Sequence, residues 1–287
     1  MRTTLKSGNS SAVIDSKGAE LKSYSVGSAE LMWCGDPKYW GKTSPFLFPM
    51  IGNLRGGKTS IYGKEYAISK HGFARDNEFT LAEEAENRAV FTFSATEATK
   101  QCFPFDFTIS LEYTLENDQL KITYRVTNNS DRDMPYCIGA HPAFALDGDI
   151  SGYKLIFAEN ETVNSPVMNL ETRMWGDSDR VNRLTDSNTF PLRYDLFDND
   201  CVYFDTLRSK SCSLVSENGG GVDISWDGFE TLGVWTPDHK NAPFVCIEPW
   251  CGCDDYDTDS GIFNEKRGIQ TAMPGETKTY TMTIRKI

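Results

Sequence analysis

Basic residues are in deficit in this chain: 29 lysines and arginines face 41 aspartates and glutamates, a formal charge of −12 over 287 residues. A nucleic-acid binder needs a basic surface to displace counterions from phosphates, so this balance argues against nucleic acid and against anionic polymers as partners. A local cluster of cations can still hold one small anion. Long apolar runs are missing too. No window approaches the roughly eighteen apolar residues of a membrane span, so no membrane partner is expected. The opening MRTTLKSGNSSAVI has no apolar stretch of the kind that marks an export signal. A cytoplasmic protein is therefore expected, with its eight irregularly spaced cysteines as reduced thiols.

Helical periodicity is scarce as well, with no 3.6-residue stripe longer than about ten residues. What the chain has instead is alternation. In FDFTISLEYTL (105–115) apolar side chains occupy every second position, and LKITYRV (120–126) repeats the pattern after the short turn ENDQ. That is a hairpin with one wet face and one buried face. Similar alternation runs through RAVFTFSA (88–95), CVYFDT (201–206), VDISW (222–226) and KTYTMTI (278–284), punctuated by NNSD, SENGGG and MPGE. Strands wet on one face must bury the other against a second sheet. The expectation is an all-β protein: one large antiparallel β-sandwich over residues 1–287, with few short helices. Alternating polarity and absent crossover helices exclude a Rossmann-type sheet.

Reactive motifs are sparse. The three histidines, His71, His141 and His239, form no HExxH pair or other close metal-ligand cluster, so neither metal nor cofactor is expected. CGC at 251–253 lacks the two-residue spacing of CxxC and a partner pair. DDYDTDSG (254–261) superficially looks like a calcium loop. Ser260 stands where an EF-hand needs glycine, however, and Lys266 where it needs glutamate. A solvated acidic loop is the simpler expectation. SENGGG (216–221) has no phosphate-loop lysine and reads as a turn, and GNLRGG (52–57) as a turn that either brings Arg55 to a ligand or leaves it at the surface.

Polar groups set into apolar strand-like sequence are more informative. FVCIEPW (244–250) places Glu248 after four apolar residues, where an unpaired carboxylate would cost several kcal/mol. IGAHPAF places His141 in a similar setting. Both precede proline, which favours an extended backbone at each. A catalytic pair and hydrogen bonding within the core both remain open on this basis.

Five stretches carry a wider resemblance: GAELKSY (18–24), FPMIGNLRGG (48–57), HGFARDNEF (71–79), GAHPAF (139–144) and FVCIEPWCG (244–252). Together they resemble the aldose 1-epimerase, or galactose mutarotase-like, family, and within it the bacterial LacX-like branch related to hexose-6-phosphate mutarotases. The resemblance implies a β-supersandwich whose concave face interconverts the α and β anomers of a free or 6-phosphorylated aldohexose. It implies His141 as the acid and Glu248 as the base, with His71, Arg55, Arg75 and Asp200 on the substrate side. Phe144 and Trp250, beside these motifs, are candidate sugar-stacking faces. The ETQ context of galactose mutarotases is missing after Glu248, so galactose is not singled out as substrate.

The implied reaction is general acid–base chemistry, typically worth about 10²–10⁴-fold. One group takes the C1 hydroxyl proton, another protonates the ring oxygen, the ring opens, and C1–C2 rotation precedes closure. Ordinary pKa values near 4.3 and 6.5 let an ionised glutamate coexist with a protonated histidine, each favouring the other's charge, whereas apolar burial opposes both charged forms. The rival readings are a non-catalytic carbohydrate-binding protein and an enzyme acting elsewhere on a sugar. Monomer and homodimer are both compatible with the sequence.

Overall fold

A computed structural model describes residues 1–287. The alternating segments form the expected hairpin: Phe107–Glu116 pairs antiparallel with Gln119–Asn128, Phe107 opposite Asn128 and Glu116 opposite Gln119. Asn117 turns the chain at φ 53°, a left-handed conformation that asparagine tolerates. Phe107, Ile109, Leu111, Tyr113 and Leu115 are all buried. On the opposite face Glu112 pairs with both Arg88 and Arg125.

This hairpin lies within a nine-stranded antiparallel sheet. From edge to edge the strands are Met174–Pro191, Tyr153–Asn169, Ser211–Ser216, Gly221–Asp227, Thr277–Lys286, Gln119–Asn128, Phe107–Glu116, Arg88–Ser94 and Thr80–Ala85. A six-stranded antiparallel sheet centres on Phe244–Cys251. Thr231–Trp235 flanks it on one side, Ile138–Ala140 and Ala143–Ala145 on the other, and Val202–Phe204 and Phe46–Leu47 complete the sheet. Aromatic side chains bridge the two layers: Phe46 stacks on Tyr124 at 5.5 Å, and Phe204 meets Phe157 at 5.5 Å and Phe190 at 5.2 Å. The inner faces of both sheets join one apolar cluster of 74 buried residues, which gives the architecture its sandwich character.

Residues 2–30 add a four-stranded sheet, tied to the main hairpin by two phenols. Tyr113 donates to the Ala19 carbonyl and Tyr24 to the Asp118 carbonyl, both at 2.6 Å. Helix is limited to the single turn Glu97–Lys100, capped by Thr96, and a few 3₁₀ turns. No helix is long and apolar enough to cross a membrane. All eight cysteines are free thiols.

One feature was not foreseen. The strands Tyr153–Asn169 and Met174–Pro191 form a long hairpin interrupted by four register shifts. Bulges bend a strand and re-aim its end. This hairpin's tip docks on the segment after Cys253: the Trp175 amide donates to the Asp255 carbonyl, and the Asp257 amide to the Trp175 carbonyl. Met168, Leu170 and Arg173 thereby arrive beside the cavity described next.

Candidate active site

The central strand Phe244–Cys251 has two faces. Val245 and Ile247 enter the core between the sheets, and alternation sends Cys246, Glu248 and Trp250 to the opposite face. Two glycines on the neighbouring strands make room there. A Cβ on Gly139 would lie 2.6 Å from the Trp250 indole, and one on Gly233 only 2.5 Å from it. Larger side chains would displace the ring.

His141 leaves the end of Ile138–Ala140 and turns towards Glu248. Nε2 stands 3.2 Å from Oε2, with His141 6% and Glu248 1% exposed. The approach is close but not aligned as a hydrogen bond, and neither Glu248 Oε2 nor His141 Nδ1 has a hydrogen-bond partner in the protein. Buried polar atoms without partners are uncommon and mark places where a ligand's hydroxyls can complete the bonding. The imidazole is boxed in by Trp40, stacked at 4.9 Å and 23°, by Trp235 edge-on at 5.7 Å, and by His71 edge-on at 5.8 Å.

His71 adopts φ 64°, a strained conformation for a non-glycine residue and one that clusters at functional sites. Its amide donates to the Gly52 carbonyl at 3.0 Å, and the Gly52 amide donates back to Nδ1 at 3.1 Å. Nδ1 is thus an acceptor, which leaves Nε2 as the N–H of a neutral ring. Burial, reinforced by His141, holds the His71 pKa well below its ordinary value. His71 is therefore a fixed neutral donor.

His71, His141 and Glu248 line one cavity of about 320 Å³, together with Arg75, Asp200 and Trp250. Six of the eight sequence candidates therefore converge. Asp200 sits at φ 72° with Arg173 Nη1 3.5 Å away, and Arg75 donates to the Lys70 carbonyl while its Nε, 3.7 Å from Asp76 Oδ2, makes no hydrogen bond in the protein.

Two candidates do not converge. The Arg55 guanidinium donates to the carbonyls of Tyr256 and Asp257 at 2.9 and 2.7 Å, and its amide to Asp255, so it braces a loop. Phe144 is buried and lines a separate cavity with Tyr153 and Leu214. Its alternation along Ala143–Ala145 carries it away from the site. The acidic stretch 254–261 also differs from the solvated loop expected. Asp254 is buried and accepts from the Asn53 amide and side chain at 2.6 and 2.9 Å, whereas Asp255 is buried against Lys266. Asp259 accepts from the Tyr256 amide. These carboxylates are committed to internal partners.

The cavity also contains residues that sequence reasoning missed: Trp40, Lys70, Arg173, Trp235 and Asp254. Trp40 lies in the irregular stretch DPKYWGK, where no period marks which way a side chain points. Trp235, in VWTP, sits at the end of a strand and before a helix-excluding Thr-Pro, a signal visible only once the strand Thr231–Trp235 is recognised.

The electrostatics show burial acting against the charged pair. Burial, with Asp200 adding repulsion, pushes the Glu248 carboxyl well above its ordinary range. Burial, with Arg75 adding repulsion, pushes His141 down to about 3. Burial thus disfavours the ionised form of each group, which draws a single proton held by the pair towards the carboxyl.

Comparison with known proteins places this arrangement. The family model for aldose 1-epimerase matches residues 1–285. The chain belongs to that family. Protein LacX (plasmid) of Lactococcus lactis subsp. lactis is 33% identical over 268 residues, covering 89% of each chain. A galactose mutarotase related enzyme from Lactobacillus acidophilus superposes with a TM-score of 0.94 at 28% identity, over 100% of this chain and 97% of that one. A galactose mutarotase-like protein from Lactobacillus casei gives 0.93 at 27% identity over the full length of both. Membership in the aldose 1-epimerase family supports a carbohydrate isomerase of the epimerase type, acting on a small molecule.

Proposed function

We propose that the protein is a mutarotase of the LacX-like branch, interconverting the α and β anomers of a free or 6-phosphorylated aldohexose by acid–base ring opening. The observation that carries this reading is the 3.2 Å approach of His141 Nε2 to Glu248 Oε2 on the floor of a cavity. The reacting oxygens of a cyclic aldose, the ring oxygen and the C1 hydroxyl, are bonded to a single carbon. Two adjacent side chains suit two adjacent oxygens. At about 320 Å³ the cavity stands at the small end of the usual 300–1,000 Å³ range, which favours a monosaccharide.

Glu248 takes the C1 hydroxyl proton and His141 delivers one to the ring oxygen. The cycle needs one proton accepted and one donated, and a pair holding a single proton has that inventory. A neutral pair and an ion pair differ only by moving that proton across the short gap. Sugar hydroxyls that donate to Glu248 favour its ionised form. His71 Nε2–H, the half-buried Arg75 and Asp200 offer polar contacts around the ring, and Trp40, Trp235 and Trp250 offer faces for its C–H side. Holding the sugar against the pair adds a positioning advantage to proton transfer.

Three cations (Lys70, Arg75, Arg173) and four acids (Asp200, Asp238, Glu248, Asp254) line the cavity, so neither charge sign dominates it. The free and phosphorylated sugars are therefore tested side by side. The continuous apolar core favours one domain over residues 1–287. The test is NMR exchange between α and β signals of glucose, galactose and their 6-phosphates with the purified protein. Enzyme-dependent exchange of at least one sugar is the expected result. Exchange at the uncatalysed rate for all four overturns the reading.

A further inference from the structure

Proton transfer leaves unused a third group that lies against the catalytic pair. Cys246 precedes Glu248 by two residues on the same strand and faces the same way, fully buried. The ligating atoms of His141, Cys246 and Glu248 all lie within 4.8 Å of one another. Glu248 Oε2, itself buried, has no hydrogen-bond partner in the protein.

We propose that these three side chains form a site for a thiophilic divalent cation, zinc foremost, and that its binding stops proton transfer at the pair. The second half rests on the mutarotase reading; the first does not. One imidazole, one thiolate and one carboxylate match zinc's ligand preferences, whereas magnesium and calcium seek all-oxygen shells. Tetrahedral zinc with N and O bonds of about 2.0–2.1 Å has an N···O edge of about 3.3 Å. The 3.2 Å separation of Nε2 and Oε2 already meets that requirement. Only the thiol has to close in.

Binding forms bonds from the metal to Nε2, a carboxylate oxygen and Sγ, and releases to solvent the Cys246 thiol proton and the proton shared by the pair. His141 and Glu248 both line the cavity, from which a fourth ligand would come. Once bound, the metal occupies the imidazole lone pair, so His141 Nε2 can no longer carry a proton, and it draws charge from the carboxylate, so Glu248 becomes a weaker base. His141 Nδ1 lacks the outer hydrogen bond that stiffens most zinc-binding histidines. Loss of such bonds weakens metal affinity by about 10–100-fold. The site is therefore suited to respond to free zinc rather than to hold it permanently.

The test uses the full chain, with Zn²⁺ in equilibrium dialysis and Co²⁺ as the spectroscopic probe. One equivalent of metal and a thiolate-to-cobalt charge-transfer band are expected. Cys246→Ser and Cys246→Ala should each remove the band and weaken binding at least tenfold, as should His141→Asn. In the exchange assay Zn²⁺ should slow the wild-type protein at least tenfold and the Cys246→Ser protein far less, with similar metal-free rates. Absence of the cobalt band, or undiminished zinc affinity in both folded Cys246 variants, overturns the site. A protein that binds metal in this manner but shows no exchange without it refutes the mutarotase reading and leaves the site standing. Exchange that proceeds unslowed at saturating Zn²⁺ overturns the inhibitory half alone.

Discussion

The indole of Trp40 lies flat against the imidazole of His141, ring centroids 4.9 Å apart and planes 23° from parallel. A neutral imidazole gains packing from this arrangement. An imidazolium gains more, because the aromatic face attracts positive charge by about 0.5–2 kcal/mol. Trp40 therefore favours the protonated state that His141 reaches in the proposed mechanism. Trp40→Ala is expected to lower kcat by about 2- to 30-fold, the rate equivalent of that energy, while Trp40→Phe retains most activity. Unchanged kcat in Trp40→Ala, with only KM altered, would confine the indole to sugar binding.

The single proton of the His141–Glu248 pair has a signature in stability. In the unfolded chain, with ordinary values of 4.5 for the glutamate and 6.5 for the histidine, the two groups hold two protons below pH 4.5, one between, and none above 6.5. The folded pair holds one proton from about pH 3 up to the raised pKa of Glu248. Its contribution to stability is thus level between pH 4.5 and 6.5 and falls on both sides. Below 4.5 the unfolded state binds the extra proton; above 6.5 the folded state retains one that the unfolded state has lost. The slope on each flank is up to about 1.4 kcal/mol per pH unit. Urea unfolding of the wild type and the His141→Asn/Glu248→Gln double variant across this range isolates the term by difference. A difference curve that climbs steadily from acid to alkali contradicts the one-proton pair.

Lys266 and Asp255 form an ion pair with each side chain only 3% exposed. Asp255 also accepts from the Arg55 amide. Lys266→Met strands a buried carboxylate and is expected to cost about 3–5 kcal/mol. Adding Asp255→Asn should recover part of that loss, since the amide oxygen can still accept from Arg55. Chemical denaturation of both variants checks this; equal stability of the single and double variants would mean that the carboxylate is not left uncompensated.

What was legible in the sequence follows from how locally each feature is determined. The hairpin 107–128 declares itself because a flat two-faced strand must alternate, and it does so without a break. The hairpin 153–191 does not, because its register shifts change which parity faces inward. Glu248 was legible because a carboxylate inside FVCIEPW has to be explained. GNLRGG left Arg55 open and the resemblance put it on the substrate side; no sequence pattern shows that two backbone carbonyls already occupy its guanidinium. Phe144 sits three residues from His141 but projects from a different strand with opposite orientation, which adjacency in sequence cannot reveal. Trp40 was silent because only the tertiary fold brings its loop over His141.

The most direct measurement compares α/β exchange by NMR for the wild type, Glu248→Gln and His141→Asn, on whichever aldohexose the wild type turns over. Both substitutions keep size and polarity while removing the proton-carrying group. Each folded variant should lose about 10²-fold or more in turnover, as expected for a positioned acid or base. Near wild-type exchange in both would mean that the anomeric protons travel by another route.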